Sequence, residues 1–183
     1  MTRSIWTLAL FWTALTVAPA AAERNPRDRH LRSTEPELAG LIADGVRASP
    51  TLQRLVERVE ASDLIVYVMF DRSPSPNAAG HISLLTAVRG RRYLRISLDR
   101  RYAGTHRLAV LGHELQHAVE IADAPSVADN EGVAALYQSI GFRSDNGRHD
   151  CYDSRLAIET GRQVQREILS AASSADSRWP IAA

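Results

Sequence analysis

The residues of this chain best suited to carry chemistry are two histidines and a glutamate within the segment His113-Glu114-Leu115-Gln116-His117. The histidines are four positions apart, so on a helix both imidazoles project from one face and can bind one metal ion. Glu114 is rotated by about 100° from His113, where a carboxylate can take a proton from a zinc-activated water instead of binding the metal. The pattern therefore predicts a Zn²⁺ site with His113 and His117 as ligands and Glu114 as the general base.

The composition limits what else can bind that metal. The chain has one cysteine, Cys151, so it can form neither an intramolecular disulfide nor a zinc site built on several thiolates. Any ligand beyond the two histidines must then be another histidine or a carboxylate. The same pentapeptide also occurs by chance on exposed amphipathic helices, and in that case His113 and His117 would be solvated and without a ligand.

The first 22 residues differ from the rest of the chain. A short basic start, an apolar segment and a small-residue site ending at Ala22 predict a signal peptide, and the apolar segment is too short and too interrupted for a membrane span. We therefore expect a secreted or periplasmic protein of 161 residues with no membrane span after cleavage. This mature chain carries 21 Arg and 21 acidic residues and has no basic run, which argues against nucleic-acid binding.

Hydrophobic periodicity predicts helices on both sides of a small sheet, hence an α+β fold with a mixed or antiparallel sheet. The predicted strands are 64–70, 81–88 and 92–98, the last two joined by an Arg89-Gly90-Arg91 hairpin turn. The predicted helices are one after Pro36, one from Pro50, one N-capped by Thr105 and reaching 122, one over 129–140 and one over 151–171. We expect a single domain over 35–172, a flexible lead-in at 23–34 and a loose tail at 173–183.

A helix that carries this motif directly after a small sheet resembles the zincin metallopeptidases, and the resemblance covers about residues 60–140. It implies a zinc peptidase similar to small secreted bacterial zinc proteases, with peptide or protein substrates. It also implies that extended substrate adds as a strand to an edge strand of the sheet. The resemblance assigns that edge to Arg92–Asp99 or to its hairpin partner.

The third metal ligand depends on the zincin subclass. The metzincin pattern needs Gly and His where this chain has Glu120 and Asp123, and Met69 lies upstream of the motif, so no Met-turn can follow it. The Asn130-Glu131 pair resembles the Asn-Glu pair that carries the third ligand in compact gluzincins, which implies Glu131. Acidic residues are favoured in the first turn of a helix in any case. The ligands that stay open besides Glu131 are Asp123, Glu120, Asp153 and His149.

A hydrolase of this kind also needs a donor to the developing oxyanion. His149 and Tyr152, near the start of the last helix, are the candidates, whereas Tyr137 is expected on the far side of its helix, in the core. Together these features predict a secreted zinc-dependent hydrolase, a peptidase that uses a zinc-activated water. The alternative is a catalytically inactive, zincin-like binding or structural module of the cell envelope.

Overall fold

The computed structural model describes residues 28–74, 76–143 and 152–176. Across these ranges the protein is α+β, as predicted, and it has five helices, a four-stranded mixed sheet and a two-stranded antiparallel sheet. None of the helices found there combines the length and apolarity that crossing a bilayer requires. The predicted signal peptide, His149 and Cys151 lie outside the described residues.

The four-stranded sheet has the order β1-β2-β4-β3. Its strands are β1 (Leu31–Arg32), β2 (Leu64–Phe70), β3 (Gly80–Val88) and β4 (Arg91–Leu98). β2 is parallel to both β1 and β4, whereas β3 and β4 form an antiparallel hairpin. Arg89 and Gly90 in the hairpin turn both have positive φ, the conformation that two-residue hairpin turns favour.

The sheet order corrects the prediction that substrate adds to strand 92–99. β4 is hydrogen-bonded to β2 on one side and to β3 on the other, so it has no free edge. Its hairpin partner β3, which the sequence left as the alternative, lies at one edge of the sheet, and β1 lies at the other. Leu31 and Arg32 also differ from expectation. They lie in the predicted flexible lead-in, yet they form a strand that pairs with Val66 and Tyr67 of β2.

Two helices precede the hairpin and form one side of the core. They are α1 (Pro36–Ala48) and α2 (Pro50–Glu60), separated at Ser49-Pro50 as the sequence predicted. Ser49 caps α2 by accepting a hydrogen bond from the Leu52 backbone N–H at 3.0 Å. The apolar residues of both helices join a core formed with the sheet and the next helix.

The histidine-bearing helix α3 (Gly104–Ala122) is the most buried helix of the fold. It begins two residues earlier than predicted, with Ala103 and not Thr105 at the N-cap and with no side-chain cap. Its other end is held by Arg92 of β4, which is 4% exposed and donates to the carbonyl oxygens of Ile121 and Ala122. The same guanidinium binds both carboxylate oxygens of Asp63, at 2.7 and 2.8 Å. β4 thus fixes the position of the histidine helix along the sheet.

The C-terminal part of the fold differs most from the prediction. After α4 (Asn130–Ile140), the two-residue strands β5 (Phe142–Arg143) and β6 (Tyr152–Asp153) pair antiparallel. The last helix, α5 (Arg155–Asp176), starts after the predicted residue 151 and extends beyond 171, into the predicted tail. Ser154 accounts for the later start, because its hydroxyl accepts a hydrogen bond from the Ala157 backbone N–H at 3.0 Å and so caps the helix.

Candidate metal centre

Three ligand-type atoms from two parts of the chain converge at one point. His113 Nε2 and His117 Nε2 are 3.2 Å apart, and Asp153 Oδ1 lies 3.4 Å from the first and 3.5 Å from the second. Tetrahedral zinc with ligand bonds of about 2.0–2.1 Å holds neighbouring ligand atoms about 3.3–3.4 Å apart. The triangle formed by His113, His117 and Asp153 therefore fits three of the four ligand positions of such an ion.

The helical spacing brings the two histidines together, and close helix packing brings in Asp153. At the crossing of α3 and α5, a Cβ on Gly161 would lie 3.0 Å from the Ala109 carbonyl oxygen and 3.2 Å from His113 Cβ. A Cβ on Gly112 would lie 2.7 Å from Val164. Glycine at both positions allows the two helix backbones to approach closely, so the residue that precedes the cap of α5 reaches the histidine pair.

Asp153 is also positioned from the side of β5. A Cβ on Gly141 would lie 2.5 Å from the backbone oxygen of Asp153, so only glycine allows β6 to pass this close to the end of α4. The carboxylate itself accepts a hydrogen bond from the Ser154 backbone N–H at 2.7 Å through Oδ1. Backbone pairing, the Gly141 contact and this hydrogen bond together fix the carboxylate orientation.

The ring of His117 is held from the side opposite Asp153. Its Nδ1 lies 2.8 Å from Glu120 Oε2 and 2.9 Å from the Tyr137 hydroxyl, and Tyr137 donates to Glu120 Oε2 at 3.1 Å. The other oxygen of Glu120 accepts a 2.6 Å hydrogen bond from the hydroxyl of Ser154. A carboxylate on one ring nitrogen fixes the imidazole orientation and raises the basicity of the nitrogen that faces the metal.

The electrostatics of the cluster follow from burial and from these contacts. Burial opposes a charge on His117, but hydrogen bonds to Asp153 and Glu120 outweigh it and raise the pKa of His117 to about 9. Partial burial and the neighbouring charge of His117 lower the pKa of His113. Asp153 is half-buried, which raises its pKa, yet its hydrogen bond to His117 and the nearby charges of both histidines outweigh this and lower it. The metal-free cluster thus holds its proton mainly on His117.

Glu114 lies beside the cluster without joining it. It is 5% exposed, and burial raises its pKa to about 7 despite the opposing charge of His117. Its side chain packs against the start of the edge strand, where a Cβ on Gly80 would lie 3.1 Å from Glu114 Oε1. A carboxylate with a pKa near neutrality can both accept and release a proton during a reaction.

His113, Glu114 and Asp153 all line one open cleft of about 280 Å³. The cleft runs between α3, α5 and the segment Asn77–Gly80 that leads into β3. Its α5 wall presents residues of one helix face, namely Ile158, Gly161, Arg162 and Gln165. A substrate in this cleft would contact the three site residues and the beginning of the edge strand at once.

The other residues proposed from the sequence lie elsewhere. Glu131 is exposed in the first turn of α4 and does not belong to the group of ligand-type atoms. Asp123 is exposed and pairs with Arg58, and Glu120 contacts His117 from behind. The structure therefore gives the position next to the histidines to Asp153, which was one of the alternatives, and not to Glu131.

The predictions for the two candidate oxyanion donors and for Tyr137 compare differently with the structure. His149 lies outside the described residues. Tyr152 is half-buried in β6 and accepts a hydrogen bond from Gln138 at 3.5 Å. Tyr137 is buried, as expected, but its hydroxyl also forms hydrogen bonds with His117 and Glu120. The contact of Glu120 with His117 could be predicted from the sequence, because residues three apart on a helix are neighbours on its surface.

Comparison with known proteins does not identify a family. No protein-family model, no curated protein and no solved structure matches the chain. The resemblance to zincins therefore rests on the motif and on the order of the elements.

Proposed function

We propose that the protein is a zinc-dependent hydrolase that cleaves peptides, with His113, His117 and Asp153 as metal ligands and Glu114 as the general base. The observation that carries the proposal is the triangle of ligand-type atoms with sides of 3.2, 3.4 and 3.5 Å beside a buried glutamate. Asp153 replaces Glu131 in this proposal because Glu131 is exposed and away from the pair.

The chemistry of the ligand set supports zinc. Two imidazole nitrogens and one carboxylate oxygen are ligands that zinc accepts in catalytic sites, where a fourth position stays open. The carboxylate of Glu120 behind His117 is the arrangement that commonly orients a zinc-bound histidine. The open cleft on the side of Glu114 leaves access for a substrate. Bound zinc would lower the pKa of a water molecule toward about 7 and polarise a substrate carbonyl.

The residues of the chain would then transfer the proton and hold the metal ligands in position. Glu114 accepts the proton of the attacking water, and its pKa of about 7 lets it pass that proton to the leaving amine. Glu120 and Tyr137 keep the His117 ring oriented, and Ser154 keeps Glu120 in place. Gly80 at the start of β3 leaves room for the Glu114 carboxylate at the mouth of the cleft.

The experiment that tests this proposal compares the zinc-loaded protein with Glu114→Gln on a broad library of peptides. Loss of a general base lowers the rate by about 10² to 10⁴, while the metal ligands remain in place. We expect hydrolysis by the native chain, loss of hydrolysis in Glu114→Gln and equal zinc content in both. A zinc-loaded chain that cleaves no peptide would instead favour a binding or structural module. Undiminished cleavage by Glu114→Gln would exclude this glutamate as the base.

A further inference from the structure

Arg162 is a cationic side chain without an acidic partner among the described residues, on the wall of the cleft beside the proposed metal ligands. Arg162 is exposed on α5 and lines the cleft together with His113, Glu114 and Asp153. Within residues 28–74, 76–143 and 152–176, no acidic side chain pairs with it and no hydrogen bond holds it. Its neighbours on the same wall are Ile158, Gly161 and Gln165, none of which can neutralise it.

The position of Arg162 along α5 puts it close to the reacting centre. The preceding residue, Gly161, packs so closely on α3 that a Cβ there would lie 3.2 Å from His113 Cβ. Arg162 therefore leaves the helix backbone at the level of His113, beside the open side of the cluster. A substrate in extended conformation advances about 3.3 Å per residue, so a group within one or two residues of the scissile bond would lie in this region.

The charges of the cleft favour an anionic ligand. Glu114 and Asp153 carry the acidic groups of its described lining, and two positive charges of a bound zinc would balance them. Arg162 then remains a cation that no acidic group of the described lining neutralises, and the negative charge of Glu120 lies behind His117, outside that lining. His106, which lines the cleft from α3, stacks on Tyr102 with the ring centroids 4.5 Å apart. Guanidinium groups bind carboxylates through paired, charge-assisted hydrogen bonds.

We propose that Arg162 determines substrate specificity by binding a carboxylate close to the scissile bond, so the preferred substrates are acidic peptides or peptides cut near a free C-terminus. This inference rests on the proposed zinc site. It requires bound zinc, but it does not require turnover, and the test can therefore be a binding measurement.

The test uses small zinc-binding hydroxamates of malonic, succinic and glutaric acid, each compared with its primary amide in place of the free carboxylate. At the chain length that spans zinc and Arg162, we expect the native protein to bind the acid about tenfold more tightly than the amide. In Arg162→Gln the ratio should fall to about one, and Arg162→Lys should restore part of it. Arg166→Gln is the matched control, because Arg166 is exposed on the same helix, binds Gln163 and does not line the cleft.

A second arm identifies the source of the carboxylate. The zinc-loaded Glu114→Gln variant is titrated with peptide pairs that differ only in Glu against Gln, or only in a free against an amidated C-terminus. The pair that shows the preference gives the source, and no preference in either pair would overturn the inference.

The outcomes separate this inference from the proposed function. An acid-to-amide ratio of about one at every length, or a ratio that survives Arg162→Gln, would overturn the inference and leave the hydrolase proposal intact. Equal weakening of acid and amide in Arg162→Gln would also overturn it, since it would indicate a structural effect. A native chain that binds no zinc would overturn both.

Discussion

Glu120 and His117 are three residues apart on α3, and Glu120 Oε2 lies 2.8 Å from His117 Nδ1, on the side of the imidazole away from Asp153. Glu120 is itself held by the hydroxyls of Tyr137 and Ser154, which come from α4 and from the start of α5. One carboxylate therefore joins three elements behind a single proposed ligand. This arrangement predicts that metal affinity depends on a residue that does not touch the metal.

Glu120→Gln should weaken zinc binding by about 10- to 100-fold, because the neutral amide no longer raises the basicity of His117. The measurement is competition for zinc against a chelator of known affinity. Glu159→Gln is the control, an exposed residue of α5 that leaves the affinity unchanged. Native affinity in Glu120→Gln would contradict the orienting function of this carboxylate.

Gly141→Ala should also weaken zinc binding, although residue 141 carries no ligand. The added methyl group would lie 2.5 Å from the Asp153 backbone oxygen, so β6 must shift and take the Asp153 carboxylate with it. The same assay measures the effect. Gly40→Ala provides a matched control, because no atom lies within 4 Å of its new methyl group. This control should keep native zinc affinity and gain about 0.5–1 kcal/mol of helix stability. Equal affinities in both variants would show that β6 does not set the ligand position.

Zinc binding should release about two protons at pH 8, one from His117 and one from the zinc-bound water, whose pKa falls toward about 7. The pKa of His117 is raised to about 9 in the metal-free chain, so at pH 8 this ring still carries a proton that the metal must displace. His113, whose pKa is lowered, is already neutral, and Glu114 with a pKa of about 7 is already ionised. Calorimetry in buffers of different ionisation enthalpy counts the protons. A count of about one or fewer at pH 8 would mean that His117 gives up no proton to the metal.

Glu167 should stabilise the fold only above acidic pH. Although burial raises its pKa, hydrogen bonds from Ser49, Gln163 and Thr51 lower it to about 2 from an ordinary value of 4.5. Its contribution is therefore complete above pH 4.5 and disappears as the pH falls toward 2. Glu167→Gln should lower the free energy of unfolding by about 1–2 kcal/mol at pH 7 and by much less near pH 2.5. Urea unfolding at both pH values measures the difference. A constant difference would show that the carboxylate charge contributes nothing.

Local patterns in the sequence predicted most of the fold. The break at Ser49-Pro50 and the Arg89-Gly90 hairpin turn depend on backbone preferences of neighbouring residues, and both are confirmed. The choice of edge strand was not local. β3 and β4 are both apolar enough to pair on two sides, and only the parallel pairing of β4 with β2 leaves β3 at the edge.

The part of the site that lies on one helix was predictable from the sequence. His113, Glu114 and His117 lie in a single helical turn, so their relative positions followed from the helix geometry. The position of Asp153 instead depends on Gly141, on the pairing of β5 with β6 and on the close approach of α5 to α3. These contacts join residues that are far apart in sequence, so they cannot be predicted from the spacing of residues along the chain.

The most direct test of the proposed metal centre is the zinc content of three purified proteins after dialysis against trace chelator, measured by elemental mass spectrometry. The native chain and Glu131→Gln should each retain one zinc per molecule, because Glu131 is exposed and away from the histidines. Asp153→Ala should retain none, or bind zinc at least about 100-fold more weakly, because a ligand of the triangle is lost. A native chain without zinc, or Asp153→Ala with a full complement, would contradict the account.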